Sequence, residues 1–129
     1  MIWYVAAGGA FGSVARYLLS TLVQERAAGA FPMGTFVVNV TGALLLGVLL
    51  RYSLDASAFS PEVRVLLTTG FCGGYTTFST FSYETARLIE TGDHRRAVAY
   101  IVLSVGISLA AMFAGFAAAR ALIAWRQGA

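Results

Sequence analysis

The sequence predicts an all-α membrane protein with four transmembrane helices, the third of which is broken at the bilayer midplane. Hydrophobic residues make up 58% of the 129-residue chain and charged residues 12%, about half the charged share of a soluble domain. Four apolar stretches are long enough to span a bilayer, which takes about 20 helical residues. One of them carries glycine and hydroxyl residues at its centre. The whole chain, 1–129, is expected to form a single four-helix domain.

Three of the stretches are predicted to be uninterrupted helices. They cover about residues 2–23, 34–52 and 97–125. Pro32 lies just before the second stretch, where the start of a helix tolerates proline. The first residues lack the basic region of a cleavable signal, so the N-terminus is expected to be the first span itself.

The third stretch, from about 61 to 90, is predicted to be interrupted. Its centre, residues 70–82, contains three glycines and six hydroxyl residues. Each glycine in a helix interior costs roughly 1 kcal/mol, and paired glycines followed by β-branched threonines indicate a break. An irregular backbone in a membrane is tolerated only where protein buries it or a wet cavity borders it. Discontinuous helices at this depth often hold ions, so the functional site is expected here. The alternative is a glycine-rich packing face.

Arginine placement predicts no fixed orientation in the membrane. The chain has nine basic residues, all arginine, against six acids, which gives a net charge of +3. Four arginines lie near each predicted side, and the ninth, Arg16, lies within the first span; the two sets are Arg51, Arg64, Arg120 and Arg126 against Arg26, Arg87, Arg95 and Arg96. An excess of Lys and Arg on one side of the membrane normally sets the topology. Because neither side has an excess here, copies are expected to insert both ways and to pair antiparallel. Alternatively, a weak bias in charge or a partner protein fixes one orientation in the membrane. The sequence lacks the dense run of basic residues that would indicate nucleic-acid binding.

Polar residues inside the spans are candidate site residues. Asn39 lies in the second span, where its amide needs a partner; it either joins two helices or donates to a passing anion. Tyr100, Ser104 and Ser108 recur every four residues in the fourth span, so they share one helix face. Their hydroxyls form a possible polar track.

Further candidates lie in the first and third spans. Gly8 and Gly12 form a pair that permits close helix approach, and Arg16 follows them; Arg16 either extends toward the headgroups or attracts anions at a vestibule. Phe78 and Phe81 are three residues apart, so in a helix both rings share a face. Their edges carry partial positive charge, although ordinary packing is the usual explanation for such a pair.

Glu84 is the one acid well inside a predicted span. A buried acid is either a proton relay or an acceptor for a nearby hydroxyl such as that of Thr80. The two interpretations imply different classes of transporter, and the residues alone leave both open.

Three motifs together resemble the Fluc (CrcB) family of microbial fluoride channels. They are residues 8–17, 34–42 and 70–81, and the Gly-Gly-x-Thr-Thr-Phe-Ser-Thr-Phe run within the third is highly specific. The resemblance covers nearly the whole chain. It implies an antiparallel, dual-topology homodimer with two pores in the bacterial inner membrane. Fluoride would leave the cell passively through these pores, which would reduce fluoride toxicity in the cytoplasm.

The resemblance also assigns roles to residues. It implies a central structural Na⁺ held by the backbone carbonyls of Gly73 and Thr76, and it matches Arg16 to a first-helix arginine, which we place at the vestibule. The fluoride pore is expected to be lined by Phe78, Phe81, Asn39, Ser104, Ser108, Tyr100, Ser79, Thr80 and Glu84.

Two other functions are compatible with parts of the sequence. A small dual-topology, proton-coupled exporter needs an acid in its first span, but this chain has none before Glu25. A non-transporting assembly subunit would explain the glycines but not the clustered hydroxyls. An enzyme is not expected, because the single histidine, His94, has no accompanying nucleophile or metal-ligand spacing.

Overall fold

The computed structural model describes residues 1–128, in which every regular element is a helix. The predicted all-α class and the four helical passes are confirmed, and the third pass is composed of several pieces. In chain order the elements are α1 (Ile2–Ala27), α2 (Met33–Ala56), α3 (Pro61–Val65), a π-helical segment (Leu66–Cys72), α4 (Gly73–Tyr75), α5 (Phe78–Glu90) and α6 (His94–Gly128).

Helix α6 begins three residues before the predicted start because Asp93 caps it. The Asp93 Oδ1 accepts a hydrogen bond from the Arg96 backbone N–H at 3.3 Å, and Oδ2 accepts one from the Arg96 guanidinium at 2.7 Å. The guanidinium hydrogen bond lowers the pKa of the Asp93 carboxyl. A side-chain oxygen at this position satisfies one of the free N–H groups of the first turn.

The distribution of side chains is that of a membrane protein. Large apolar residues cover the outside, including Trp3 (81% exposed), Phe11 (72%) and Trp125 (71%). Many of the buried residues are instead small or polar, such as Thr35 and Ser104. By length and composition, α2 and α6 are the helices of residues 1–128 that are apolar enough to cross a membrane. Small residues between helices are typical of packing in lipid.

Helix α1 packs directly on the π-helical segment through glycine. A Cβ on Gly70 would lie 3.0 Å from the Cα of Gly8, and a Cβ on Gly12 would overlap the Phe71 carbonyl oxygen. The close approach expected from Gly8 and Gly12 is therefore confirmed, and its partner is the third pass.

The third pass is interrupted at Thr76–Thr77, which we call the break. Both residues are extended, with φ/ψ of −89°/159° and −149°/116°. The predicted interruption within residues 70–82 is confirmed, but the glycines themselves stay helical. Gly70 and Gly74 are instead the residues that let α1 approach, since a Cβ on either would lie about 3 Å from α1 backbone atoms. The predicted packing face and the predicted interruption are thus adjacent features of one segment.

Candidate functional site at the helix break

Asn39 of α2 holds the break through two hydrogen bonds. Its Oδ1 accepts from the Thr77 N–H at 2.7 Å, and its Nδ2 donates to the Thr77 carbonyl oxygen at 3.1 Å. The amide thereby replaces the backbone partners that an unbroken helix would supply. Of the two expectations for Asn39, the structure shows the helix-joining contact. The second hydrogen on Nδ2 remains available for another acceptor.

A groove of about 400 Å³ lies beside the break. It contains five of the predicted pore residues, and its other walls are mainly aliphatic. The lining residues that belong to the predicted pore are Asn39, Phe78, Phe81, Ser104 and Ser108; the others include Gly42, Leu46, Thr76, Thr77, Val105, Leu109 and Met112. Donor groups and phenyl rings from α2, α5 and α6 therefore meet in one mostly apolar space.

Ser104 carries an unpartnered hydroxyl in this groove. The residue is 8% exposed, and its Oγ is buried with no hydrogen-bond partner among the described residues. Leaving a buried hydroxyl unpaired costs about 1–3 kcal/mol. The unpaired donor thus belongs to a residue that lines the groove.

The two predicted phenylalanines lie together on α5. Their ring centroids are 5.7 Å apart, and the Phe81 ring is also 4.9 Å from the Tyr100 ring. Phe78 is 79% exposed, whereas Phe81 is half-buried. Phe78 therefore leaves one side of the groove open to the surface of the single chain.

Tyr100 and Glu84 lie behind the groove rather than in its wall. Tyr100 is fully buried and its OH donates to Glu84 Oε1 at 2.9 Å. The expected partner of Glu84, Thr80, instead accepts a hydrogen bond from the Thr77 hydroxyl at 3.0 Å. Glu84 and Thr80 share a second cavity of about 400 Å³, whose other lining residues are Ser20, Thr21, Gln24, Glu25, Gly34 and Thr35.

The predicted pore residues therefore form two groups separated by a buried tyrosine. Five line the groove, two line the second cavity, and Tyr100 contacts both groups. Ser79 lines neither cavity; it is exposed, and its Oγ lies 3.4 Å from the Thr77 Oγ1. Tyr100, Ser104 and Ser108 share a helix face as expected, but only the two serines reach the groove.

Two residues at the break have contacts that the sequence did not reveal. Arg16 is half-buried, and its Nε donates to the Gly74 carbonyl oxygen at 3.0 Å. Thr77 caps α5, its Oγ1 accepting from the Thr80 N–H at 3.1 Å. The Thr77 cap has a local signal, because a threonine just before a helix restarts is a preferred N-cap. The Arg16 contact joins residues 58 apart, so no local pattern predicts it.

The backbone at the break fits the expected cation. Among residues 1–128, no hydrogen bond is found to the carbonyl oxygens of Gly73 or Thr76, and Gly73 is exposed. Unpaired carbonyl oxygens are suitable ligands for a hard cation. Within the same residues no group of three His, Cys, Asp or Glu side chains could hold a metal.

Known proteins match nearly the whole chain. The family model described as "CrcB-like protein, Camphor Resistance (CrcB)" matches residues 3–116. A protein of Rhizobium meliloti (strain 1021) is 51% identical over 122 residues, which cover 95% of this chain and 98% of its own. A protein of Geotalea uraniireducens (strain Rf4) is 46% identical over 121 residues, covering 94% and 98%. Both are named "Fluoride-specific ion channel FluC".

A third relative with the same name, from Geobacter sulfurreducens (strain ATCC 51573 / DSM 12127 / PCA), is 48% identical over 118 residues, which cover 92% of this chain and 95% of its own. The resemblance drawn from the three motifs is thereby confirmed. The extent of these matches and the broken third pass lead to one assignment: the chain belongs to the CrcB family.

Proposed function

We propose that this protein is a fluoride-selective channel that conducts F⁻ passively across a membrane. It is not an enzyme. The names of its relatives support fluoride as the ion. The observation that carries the proposal for this chain is the groove at the break, which is lined by two phenyl rings and by Ser104, whose buried hydroxyl has no hydrogen-bond partner among residues 1–128.

Conduction through the groove requires replacement of the ion's hydration shell. Fluoride holds water strongly, and entry into an apolar space without new donors would be too costly. Ser104 and Ser108 supply hydroxyl donors, and Asn39 supplies its second amide hydrogen. The edges of Phe78 and Phe81 add weak positive potential. The residues that line the groove carry no full positive charge, so the ion is bound weakly enough to leave.

A second, antiparallel copy completes each pore in this proposal. The groove is open beside Phe78, which is 79% exposed, and a partner surface would close it. The even distribution of arginines over the two ends of the helices supports insertion in both orientations. Two chains related in this way would form two equivalent pores. The proposed location is the inner membrane of a bacterium, where the channel would lower cytoplasmic fluoride.

The proposed Na⁺ is structural. The carbonyl oxygens of Gly73 and Thr76 would hold it, because no hydrogen bond to either is found among residues 1–128 and Gly73 is exposed. When bound, the cation neutralises the partial negative charge of these oxygens in an interface that excludes water. Its place is therefore beside the conduction path, and it makes none of the proposed contacts with fluoride.

The polar track continues past the groove in this proposal. Thr80 and Glu84 line the second cavity, and the Tyr100 hydroxyl connects Glu84 to the groove side. Ser79 lies at the exposed start of α5. The ion would regain its water molecules beside these groups as it leaves the narrow region.

The test is fluoride efflux from liposomes that contain only the purified protein, measured with a fluoride electrode and compared with chloride efflux. Rapid fluoride release with chloride retained is expected, and Ser104→Ala is expected to slow the release. Fluoride release no faster than in protein-free liposomes would overturn the proposal, as would equal release of chloride. Proton-driven efflux of a lipophilic cation in the same liposomes would instead favour the exporter.

A further inference from the structure

The break is held from two sides by side chains of different helices. On the α2 side, Asn39 pairs with both the N–H and the carbonyl of Thr77. On the α1 side, the Arg16 Nε–H donates to the Gly74 carbonyl oxygen at 3.0 Å. In a continuous helix this carbonyl would accept from the N–H four residues later, that of Phe78. The extended backbone of the break prevents that bond.

The contact sorts the carbonyl oxygens near the break into two classes. Those of Gly74 and Thr77 accept side-chain donors, whereas no hydrogen bond is found to those of Gly73 and Thr76 among residues 1–128. Side-chain donors thus hold the carbonyl oxygens of Gly74 and Thr77, and the neighbouring oxygens of Gly73 and Thr76 remain available. Loss of the Arg16 bond would leave the Gly74 carbonyl unpaired as well.

We infer that Arg16 is a positioning residue of the break, and that it acts through its Nε–H on the Gly74 carbonyl rather than through its charge at a vestibule. The close approach of α1 makes this possible, because Gly74 has no side chain and a Cβ there would lie 2.7 Å from the Gly9 carbonyl oxygen. The inference rests on the proposed function only in placing the break beside the conduction path.

Two substitutions separate the donor from the charge. In glutamine the amide nitrogen occupies the same chain position as Nε of arginine, so Arg16→Gln keeps a donor at that point and removes the charge. In lysine that position is a methylene and the ammonium lies one atom further, so Arg16→Lys keeps the charge and moves the donor. Arg16→Met removes both. Positioning and vestibule roles therefore predict opposite orders for the glutamine and lysine variants.

The experiment is hydrogen–deuterium exchange of a peptide covering residues 73–78 in the purified full-length protein, with fluoride efflux measured on the same preparations. The inference predicts exchange near the wild-type rate for Arg16→Gln and about tenfold faster for Arg16→Lys and Arg16→Met. Efflux is expected to follow the same order. The matched control is Arg26→Gln with Arg26→Lys at the exposed end of α1, and both should exchange like the wild type.

An Arg16→Lys protein that matches the wild type in exchange and efflux, beside an Arg16→Gln protein that does not, would overturn the inference in favour of a charge at the vestibule. Unchanged exchange in Arg16→Met would also overturn it. If the variants do not accumulate, exchange of arginine Nε–H groups is followed by NMR in the wild type. Protection of Arg16 relative to the exposed Arg95 is then expected, and equal exchange refutes the contact. Failure of the fluoride channel itself would appear separately, as absent wild-type efflux.

Discussion

Replacement of Asn39 by aspartate tests the two-bond contact with the break directly. The carboxylate is nearly isosteric with the amide and keeps the Oδ1 that accepts from the Thr77 N–H at 2.7 Å. It replaces the Nδ2 donor by an oxygen, which would then face the Thr77 carbonyl oxygen at about the 3.1 Å of the present bond. One hydrogen bond is lost and two acceptors oppose each other.

The expected magnitude follows from the loss of this donor. A buried carbonyl left unpaired costs about 1–3 kcal/mol, which shifts an equilibrium between a held and a released break by roughly 5- to 150-fold. Repulsion between the two oxygens adds to this penalty. We therefore expect Asn39→Asp to lower fluoride efflux at least about fivefold, and Asn39→Leu, which lacks both bonds, to lower it further.

The assay is fluoride-electrode efflux from liposomes at neutral pH, with the elution volume of the purified protein as the check on assembly. The matched control is Gln127→Glu, which makes the same amide-to-carboxylate change at an exposed position near the end of α6, and which should conduct like the wild type. Efflux from Asn39→Asp within a factor of about two of the wild type would refute the reasoning, because a released break would then be compatible with conduction.

Ser104→Ala is expected to leave the melting temperature unchanged or slightly raised, because it removes an unpaired buried hydroxyl, while it slows fluoride efflux; a lowered melting temperature with normal efflux would contradict the role of Ser104. Gly12→Ala should lower stability by about 1–3 kcal/mol through overlap with the third pass, whereas Gly106→Ala, which meets no atom within 4 Å, should not; equal melting temperatures would argue against the close contact. The pKa of the Asp93 carboxyl is lowered in the folded protein by its bond to Arg96. This bond therefore contributes stability at pH values above the carboxyl's pKa in the unfolded chain, which is about 3.9. The contribution is lost as the pH falls through the folded-state pKa. Thermal unfolding of Asp93→Asn between pH 3 and 7 should therefore lack this part of the acid destabilisation, and an unchanged profile would contradict the cap.

The helices were predictable because bilayer thickness fixes the length of an apolar span. Helices α1 and α2 enclose the predicted spans and end about four residues beyond them, where the chain leaves the apolar region. The position of the break was predicted to within residues 70–82, from paired glycines followed by β-branched threonines. Threonine is the residue that actually becomes extended, because Thr77 caps the following helix and Asn39 supplies the missing backbone partners.

The composition of the site was predictable only in part, because it depends on contacts between distant residues. The spacing of Ser104 and Ser108 fixed a shared helix face, and both line the groove. The same spacing placed Tyr100 on that face, yet packing against Phe81 and the bond to Glu84 bury it. Helical periodicity gives the direction of a side chain, but it does not say which neighbour covers it.

The π-helical turn at Leu66–Cys72 makes this part of the third pass the place where the chain can lose a residue with least effect on the site. Such a turn accommodates one more residue than an α-helical turn does. Deleting one residue there would restore α geometry and leave Thr77 close to its present direction, toward Asn39 of α2. Deleting one residue from the α-helical start of the same pass, Pro61–Val65, would instead rotate everything that follows by about 100° relative to the residues before it.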